Sequence, residues 1–163
     1  MKSLLQKCKK IKLVISDVDG VLTDGGIYFS NQGESLKKFN VKDGMGVELL
    51  HNKKIKTVLM TREKSSIVKK RGQKIKSDKI MLGIMNKYKE LEKIKKEFHV
   101  ENENIAYIGD DINDLEIMKS VGLSATPSDG HTKIKSISNY ICKKNGGEGA
   151  FREFAELILG GKN

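Results

Sequence analysis

The sequence predicts an α/β protein with a doubly wound parallel sheet. Short apolar runs rich in Val and Ile alternate with segments of helical periodicity along the whole chain. Two of these runs, residues 13–15 and 105–108, are followed by glycine and clustered aspartates. Apolar runs of this length are typical of buried parallel strands, and in open α/β sheets the chemistry gathers where such strands end. The two acidic strand ends are therefore the first candidates for a functional site.

The pattern after the first strand predicts a β-hairpin and then regular alternation. Residues 26–30 and 34–39 flank a turn signal at residues 31–33, so we expect a small hairpin insert at about residues 26–39. Asp43 is expected to be the N-cap of the next helix. The remaining predicted elements are strand 56–60, helix 64–72, strand 79–82, helix 88–98, strand 105–108, a helix ending at Lys119, strand 122–125, strand 139–142 and helix 151–159.

Composition and length bound the class of protein. A chain of 163 residues, of which 37% are hydrophobic, is sufficient for one domain spanning residues 1–163 with a sizeable core. No apolar run approaches the length of a membrane span, and residues 1–10 are basic without the apolar core of a signal peptide. Cys8 and Cys142 form no spacing motif, so neither a disulfide framework nor a zinc site is predicted. We expect a cytoplasmic protein with no membrane partner.

The net charge of +10 raises the question of an anionic partner. The lysines are spread along the whole chain without interleaved aromatic residues, and the one small basic cluster covers residues 69–71. This distribution favours solvated, lysine-rich helix faces over a nucleic-acid-binding surface. No nucleic-acid partner is expected.

The acidic strand ends indicate a metal-dependent reaction. Asp17 and Asp19 lie one residue apart, and crowded carboxylates repel each other and lose hydration, so they need a compensating cation. Oxygen-only ligands suit Mg²⁺. One ionised aspartate can then attack phosphorus while the other donates and accepts a proton. The alternative, that the two residues only cap a turn, is weakened by the second acidic run, which contains Asp110, Asp111 and Asp114.

Other polar positions lie close to the predicted strand ends. Thr61 follows the strand at residues 56–60, and its hydroxyl can bind a phosphate oxygen or cap the next helix. Lys87 can pair with phosphate and the nucleophile, or it can be a surface lysine. The glycine-rich loop at residues 145–150 can cradle a phosphate, although it lacks the Lys-Ser/Thr ending of a P-loop.

The two acidic motifs together resemble a known superfamily. Asp-x-Asp-Gly-x-x-Thr at residues 17–23 and Gly-Asp-Asp-x-x-Asp at residues 109–114 resemble the haloacid dehalogenase superfamily of phosphohydrolases. The resemblance implies a Rossmann-like fold and an aspartyl-phosphate intermediate. The implied roles are Asp17 as nucleophile, Asp19 as general acid and base, Mg²⁺ ligation by Asp17, Asp110 and the carbonyl of Asp19, support of the metal by Asp111 and Asp114, and phosphate neutralisation by Thr61 and Lys87.

The chain is similar to a subgroup without a cap domain, because the hairpin is its only insert. Residues 40–46, 107–114 and 146–153 resemble those of the 3-deoxy-D-manno-octulosonate 8-phosphate phosphatase family. This resemblance implies Mg²⁺-dependent hydrolysis of a small sugar-acid phosphate. It also implies a homotetramer in which the hairpins form a central barrel and a neighbouring subunit helps to close each active site.

The residues after Thr61 depart from the octulosonate pattern. These enzymes usually have Thr-Gly-Arg, whereas this chain has Thr61-Arg62-Glu63. Glu63, with Arg71 and Lys74, resembles the related 2-keto-3-deoxynononate 9-phosphate phosphatases, which act on nine-carbon acids related to sialic acid. Arg62 departs from both patterns.

Each of these candidate substrate-binding residues has a structural alternative. Glu63 can be a favourable charge at a helix start, and Arg71 and Lys74 can belong to a solvated helix face. Arg152 is expected either to clamp the substrate carboxylate in a neighbouring subunit's site or to be an ordinary helix-start residue.

The predicted function is Mg²⁺-dependent hydrolysis of the terminal phosphate of a 3-deoxy-2-keto sugar acid. Eight-carbon and nine-carbon substrates, and the lipopolysaccharide and sialic-acid-like glycan pathways, stay open. One alternative is a non-catalytic regulatory or nucleic-acid-binding module on the same fold. Another is a phosphomutase, which the lack of a water-excluding cap makes the weaker interpretation.

Overall fold

The computed structural model describes residues 3–162. Met1 and Lys2, part of the segment in which no signal peptide is predicted, lie outside this range, as does Asn163. The strands are β1 (Leu13–Ser16), β2 (Tyr28–Ser30), β3 (Gly33–Leu36), β4 (Lys56–Met60), β5 (Lys79–Met81), β6 (Ile105–Ile108), β7 (Leu123–Thr126) and β8 (Tyr140–Ile141). The α-helices are α1 (Leu4–Lys10), α2 (Val41–Asn52), α3 (Ser66–Lys74), α4 (Leu91–Phe98), α5 (Leu115–Ser120), α6 (Thr132–Ile137) and α7 (Ala150–Gly160).

The sheet topology confirms the predicted fold class. Six strands pair in the order β5-β4-β1-β6-β7-β8, and every pair is parallel. The chain adds β4 and β5 on one side of β1 and then returns to add β6, β7 and β8 on the other. The strand order therefore reverses between β1 and β6, which is where open α/β sheets bind their ligands. The predicted hairpin is also present, as the separate antiparallel pair β2 and β3.

Two hydrophobic clusters cover the two faces of the sheet. On one face, Val47 of α2 and Phe154 of α7 pack with the inward residues of the strands and with α1 and α3. On the other face, Ile94 of α4 and Ile117 of α5 pack with Tyr107 and with α6. The central strands are buried on both faces, which explains why they are continuous apolar runs rather than alternating ones. No helix within residues 3–162 is long and apolar enough to cross a membrane.

The start of α2 differs from the prediction. Asn40, not Asp43, is the N-cap, and its side chain accepts the Lys42 N–H at 3.0 Å. Asn40 is itself a good capping residue, and because it satisfies the first turn the helix begins before Asp43. Asp43 then lies inside the first turn, 1% exposed, and accepts the Arg152 N–H at the start of α7 at 3.1 Å.

Several short elements lie outside the predicted pattern. Helix α1 begins with a capping box between Ser3 and Gln6, and α6 is only six residues long. The predicted helix at residues 88–98 divides into a 3₁₀ turn, Tyr88–Glu90, and α4. Other 3₁₀ turns cover Asn102–Asn104 and Ile112–Asp114. These elements are too short for hydrophobic periodicity to define them.

The burial of Asp43 makes folding dependent on pH. Burial raises the pKa of Asp43 from 3.8 to about 6, although the Arg152 N–H and the charge of Arg71 act to lower it. Within the described residues the second carboxylate oxygen has no hydrogen-bond partner. The folded state therefore holds a proton that the unfolded chain releases, and stability falls as pH rises from about 4 to 6.

We expect Asp43→Asn to stabilise the protein above pH 6 and not near pH 4. The amide keeps the shape and removes the buried charge, so the gain approaches about 3 kcal/mol at pH 8, as the shift of about two pKa units implies. Urea unfolding at pH 4 and pH 8 measures the difference. Glu48→Gln, an exposed carboxylate on the same helix, is the matched control. A gain that does not change with pH would contradict the assignment.

Candidate active site

Two acidic loops meet where β1 and β6 end. The Asp17 N–H donates to the Ile108 carbonyl at 2.9 Å, which joins the first loop to the end of β6. Gly20 has a φ of +84°, and a Cβ at this position would overlap the Asp110 carboxylate. A Cβ at Gly109 would likewise overlap the Asp114 carboxylate. Glycine at position 20 therefore allows the two loops to approach this closely, whereas Gly109 lets the second loop fold tightly around its own Asp114.

Three aspartates form a cluster at this meeting point. Ligand atoms of Asp17, Asp110 and Asp114 all lie within 4.8 Å of one another. Burial and the charge of Asp114 raise the pKa of Asp17 well above its usual range, despite the opposing effect of Lys87. The same two causes raise the pKa of Asp110 to about 7. Burial and repulsion between the carboxylates thus both disfavour the ionised forms of Asp17 and Asp110, and a bound cation would relieve this.

Lys87 is buried between two of these carboxylates. It is 2% exposed, and its Nζ lies 2.8 Å from Asp17 Oδ1 and 2.6 Å from Asp114 Oδ1. Burial acts to lower the pKa of Lys87, but the charges of Asp17 and Asp114 raise it overall. The alternative of a surface lysine is therefore wrong.

The contacts of Asp114 distinguish it from the other two aspartates. Its Oδ1 also accepts the Tyr107 hydroxyl at 2.6 Å, and its Oδ2 accepts the Asp110 N–H at 3.1 Å. With both oxygens bound by the protein, Asp114 supports the cluster, whereas Asp17 and Asp110 line the open cavity. Asp111 is exposed, and its side chain accepts the Ile112 N–H at 2.7 Å.

Thr61 and Asp19 lie side by side at the edge of the cluster. Thr61 is 1% exposed and donates from Oγ1 to Asp19 Oδ2 at 3.3 Å. The same oxygen accepts the Glu63 N–H at 3.1 Å. Thr61 thus organises the turn after β4 and lines the cavity. The alternative that it caps the next helix is wrong, because Ser65 is the N-cap of α3. The other oxygen of Asp19, Oδ1, is ion-paired with Lys37 from the hairpin segment.

One open cavity of about 300 Å³ connects these groups. Its wall contains Asp17, Asp19, Thr61 and Asp110, together with Arg62, Glu63 and Asn113. The structure therefore brings Glu63 to the predicted reaction centre. Sequence reasoning missed Lys37, Tyr107 and Asn113. Of these three residues, only Asn113 could have been identified from the sequence, because it lies inside the second acidic motif.

The three predicted substrate-binding cations lie elsewhere in this subunit. Arg71 and Lys74 line a different cavity, formed with α2, where Arg71 donates to the Asn40 carbonyl at 2.8 Å. Arg152 lines a third cavity and donates from Nε to Glu156 at 2.8 Å. The acidic cavity of one subunit is thus built without these cations.

The glycine-rich loop packs against the first acidic loop instead of opening to a ligand. The Gly147 N–H donates to the Val21 carbonyl at 2.9 Å, and the Gly146 N–H donates to Asp129 at 2.9 Å. A Cβ at Gly146 would overlap the Gly20 carbonyl. Because these N–H groups are occupied, the interpretation as a phosphate cradle is wrong, and the glycines permit close backbone packing.

Comparison with known proteins identifies the family. A model of the haloacid dehalogenase-like hydrolases matches residues 28–154. The chain belongs to this family. Among curated haloacid dehalogenase-like hydrolases, it is similar to the 3-deoxy-D-manno-octulosonate 8-phosphate phosphatase of Escherichia coli K12. The two are 36% identical over 156 residues, which cover 96% of this chain and 83% of that protein.

Solved structures of haloacid dehalogenase-like hydrolases agree closely with this fold. The Moraxella catarrhalis octulosonate phosphatase in complex with magnesium, phosphate and the sugar acid has a TM-score of 0.94 at 36% identity, covering 98% of this chain and 92% of that one. A putative octulosonate phosphatase from Vibrio cholerae has a TM-score of 0.95 at 40% identity, covering 98% and 89%. These findings confirm the predicted superfamily, fold and class of enzyme, a phosphoric monoester hydrolase.

The aspartate cluster of this haloacid dehalogenase-like hydrolase fits Mg²⁺. The donor set consists only of carboxylate oxygens, which hard divalent cations prefer. The raised pKa values of Asp17 and Asp110 show that nearby cationic groups do not fully offset the buried negative charge. A divalent ion supplies that charge and removes the cost of crowding.

We expect Asp110→Asn to weaken Mg²⁺ binding by at least about tenfold, because it removes a carboxylate from the cluster. Glu116→Gln is the matched control: it removes one negative charge at an exposed side chain of α5 outside the cavity wall. Isothermal titration of the chelator-treated protein with MgCl₂ compares the two variants. Equal losses would indicate an effect of net charge alone and would contradict the assignment of Asp110 as a ligand.

Proposed function

We propose that this chain hydrolyses the terminal phosphomonoester of a 3-deoxy-2-keto sugar acid, with 3-deoxy-D-manno-octulosonate 8-phosphate as the leading substrate. The observation that carries the proposal is the convergence of Asp17, Asp19, Thr61 and Asp110 on one cavity, with Lys87 behind them. Relatives named for this substrate, which match 96% of the chain, support the choice. In this proposal residues 1–163 act as one phosphohydrolase domain.

The first chemical step transfers the phosphoryl group to the protein. A carboxylate oxygen of Asp17 attacks phosphorus and forms a new P–O bond while the bond to the sugar oxygen breaks. The leaving oxygen keeps the electron pair and takes a proton from Asp19. Thr61 and Lys87 hold the phosphoryl group and offset its charge during the transfer.

The second step returns Asp17 to its starting state. Asp19, now ionised, takes a proton from water, and the resulting nucleophile attacks the phosphorus of the aspartyl-phosphate. Inorganic phosphate leaves, and both aspartates recover their original protonation. Mg²⁺, held by Asp17, Asp110 and the Asp19 carbonyl with support from Asp111 and Asp114, supplies positive charge to the phosphate oxygens when bound.

Within residues 3–162 of one subunit, the wall of the acidic cavity contains Arg62 but not the three cations predicted to bind the substrate carboxylate. We therefore assign Arg71, Lys74 and Arg152 to sites completed by neighbouring subunits of a homotetramer. The hairpin supports assembly because it exposes Tyr28, Phe29 and Leu36 by 61%, 76% and 63%. Exposed apolar side chains grouped on one element favour a protein contact.

A nine-carbon substrate is the second candidate, and Glu63 is the observation that favours it. Its position in the cavity wall allows contact with the sugar part of a bound substrate. A carboxylate there can accept hydrogen bonds from sugar hydroxyls, and it repels a nearby anionic group. Glu63 is thus proposed to select among sugar acids without taking part in the chemistry.

We expect Mg²⁺-dependent phosphate release from 3-deoxy-D-manno-octulosonate 8-phosphate at a higher kcat/KM than from 2-keto-3-deoxynononate 9-phosphate or N-acetylneuraminate 9-phosphate. Asp17→Asn keeps the shape but removes the nucleophile, so turnover should fall by more than about a thousandfold.

Normal turnover by Asp17→Asn would refute the mechanism. Preference for a nine-carbon acid would move the assignment to the second candidate. Salt-dependent binding of DNA or RNA without phosphate release would favour the binding-module alternative, and phosphate transfer to a sugar would favour a phosphomutase.

We expect Glu63→Ala to change the ratio of kcat/KM between eight-carbon and nine-carbon substrates by about tenfold, the scale of one lost hydrogen-bonded contact. The rate with 4-nitrophenyl phosphate should stay close to that of the unmodified protein. Glu63→Gln, which retains the size but not the charge, separates the two contributions. An unchanged ratio would show that Glu63 does not contact the substrate.

A further inference from the structure

Lys37 is a buried cation that contacts Asp19 from the hairpin side. Its side chain is 0% exposed, and its Nζ is ion-paired with Asp19 Oδ1 and lies 3.1 Å from Glu34 Oε2. A lysine is rarely buried unless its charge is paired. The ion pair therefore restricts the side-chain conformations of both Lys37 and Asp19.

The start of helix α3 is connected to Lys37 through Glu34. Glu34, the second partner of Lys37, accepts a hydrogen bond from the Ser65 hydroxyl. Ser65 is 6% exposed and is the N-cap of α3, where it accepts the Val68 N–H at 3.3 Å. A continuous chain of polar contacts thus runs from the start of α3 through Glu34 and Lys37 to Asp19.

The two oxygens of Asp19 have different partners. Lys37 binds Oδ1, whereas Thr61 donates to Oδ2 at 3.3 Å. Within residues 3–162 the wall of the acidic cavity contains Asp19 and Thr61 but not Lys37. Lys37 thus contacts Asp19 from outside the cavity wall, at the carboxylate oxygen that Thr61 does not bind.

We propose that Lys37 is a positioning residue that orients Asp19 for proton transfer. The inference rests on the proposed function, in which Asp19 protonates the leaving oxygen as the P–O bond breaks. The proton passes from Asp19 to that oxygen, and Lys37 stays protonated throughout. Lys37 affects the reaction only where the leaving group needs the proton.

Substrates with different leaving groups distinguish a loss of proton transfer from a general structural defect. A 4-nitrophenolate leaves without a proton, whereas the alkoxides of glycerol 1-phosphate and of 3-deoxy-D-manno-octulosonate 8-phosphate need one. For Lys37→Met we expect kcat/KM to fall at least about tenfold for both alkyl phosphates, because misplacing a general acid loses part of its contribution. The value for 4-nitrophenyl phosphate should be nearly unchanged.

Three further variants control the experiment. Lys38→Met alters the next lysine of the same segment, whose side chain is 62% exposed and pairs with Asp24 at 2.6 Å, and it should match the unmodified protein with all substrates. Lys37→Arg should recover part of the alkyl-phosphate activity. Lys37→Met combined with Glu34→Gln also removes the negative charge that Lys37 no longer offsets, so a persistent alkyl-specific loss excludes that uncompensated charge as its cause.

Each other pattern of results overturns the inference. Equal losses with all three substrates indicate a structural role, and a loss confined to the sugar acid indicates contact with its carboxylate. In an Asp19→Asn background Lys37→Met should cause no additional loss, and an additive loss would show that it acts independently of Asp19.

The same substrates test the sugar-acid assignment separately from the role of Lys37. If the unmodified protein releases phosphate from the two simple esters only, the sugar-acid assignment fails, and the comparison of aryl with alkyl esters still decides the role of Lys37. If it releases none from any of the three, both proposals fail together.

Discussion

Repulsion among crowded carboxylates is the constraint on which the rest of this structure depends. Asp17, Asp110 and Asp114 share a space less than 5 Å across, where like charges are poorly screened. Lys87 offsets part of this charge by lying between Asp17 and Asp114. The negative charge that Lys87 does not offset favours binding of a hard cation. That cation in turn attracts an anion beside it.

The sheet supplies the geometry that makes such crowding feasible. Its strand order reverses between β1 and β6, so the loops that follow these strands open into the same crevice. Gly20 lacks the side chain that would overlap Asp110 of the second loop, and Gly109 lets that loop fold around its own Asp114. Gly146 and Gly147 let a third backbone segment pack closely against the first loop.

Sequence patterns predicted the features that depend on neighbours along the chain. The strands and both acidic loops follow from apolar runs that end on aspartate, and β4 and β6 have the predicted bounds. Lys37 could not be singled out, because in a lysine-rich chain nothing local separates a buried lysine from a solvated one. Asp43 was misplaced for a related reason: two capping residues lie three positions apart, and only the packing of α7 shows which one is buried.

In the turn after β4, the main chain and the side chain of Glu63 have separate roles. Glu63 supports Thr61 through its main-chain N–H, which every residue except proline provides, whereas its side chain faces the cavity. Substitution at this position therefore leaves the hydroxyl of Thr61 in place. During evolution, a lineage could acquire a new sugar-acid preference by single replacements here without passing through an inactive intermediate.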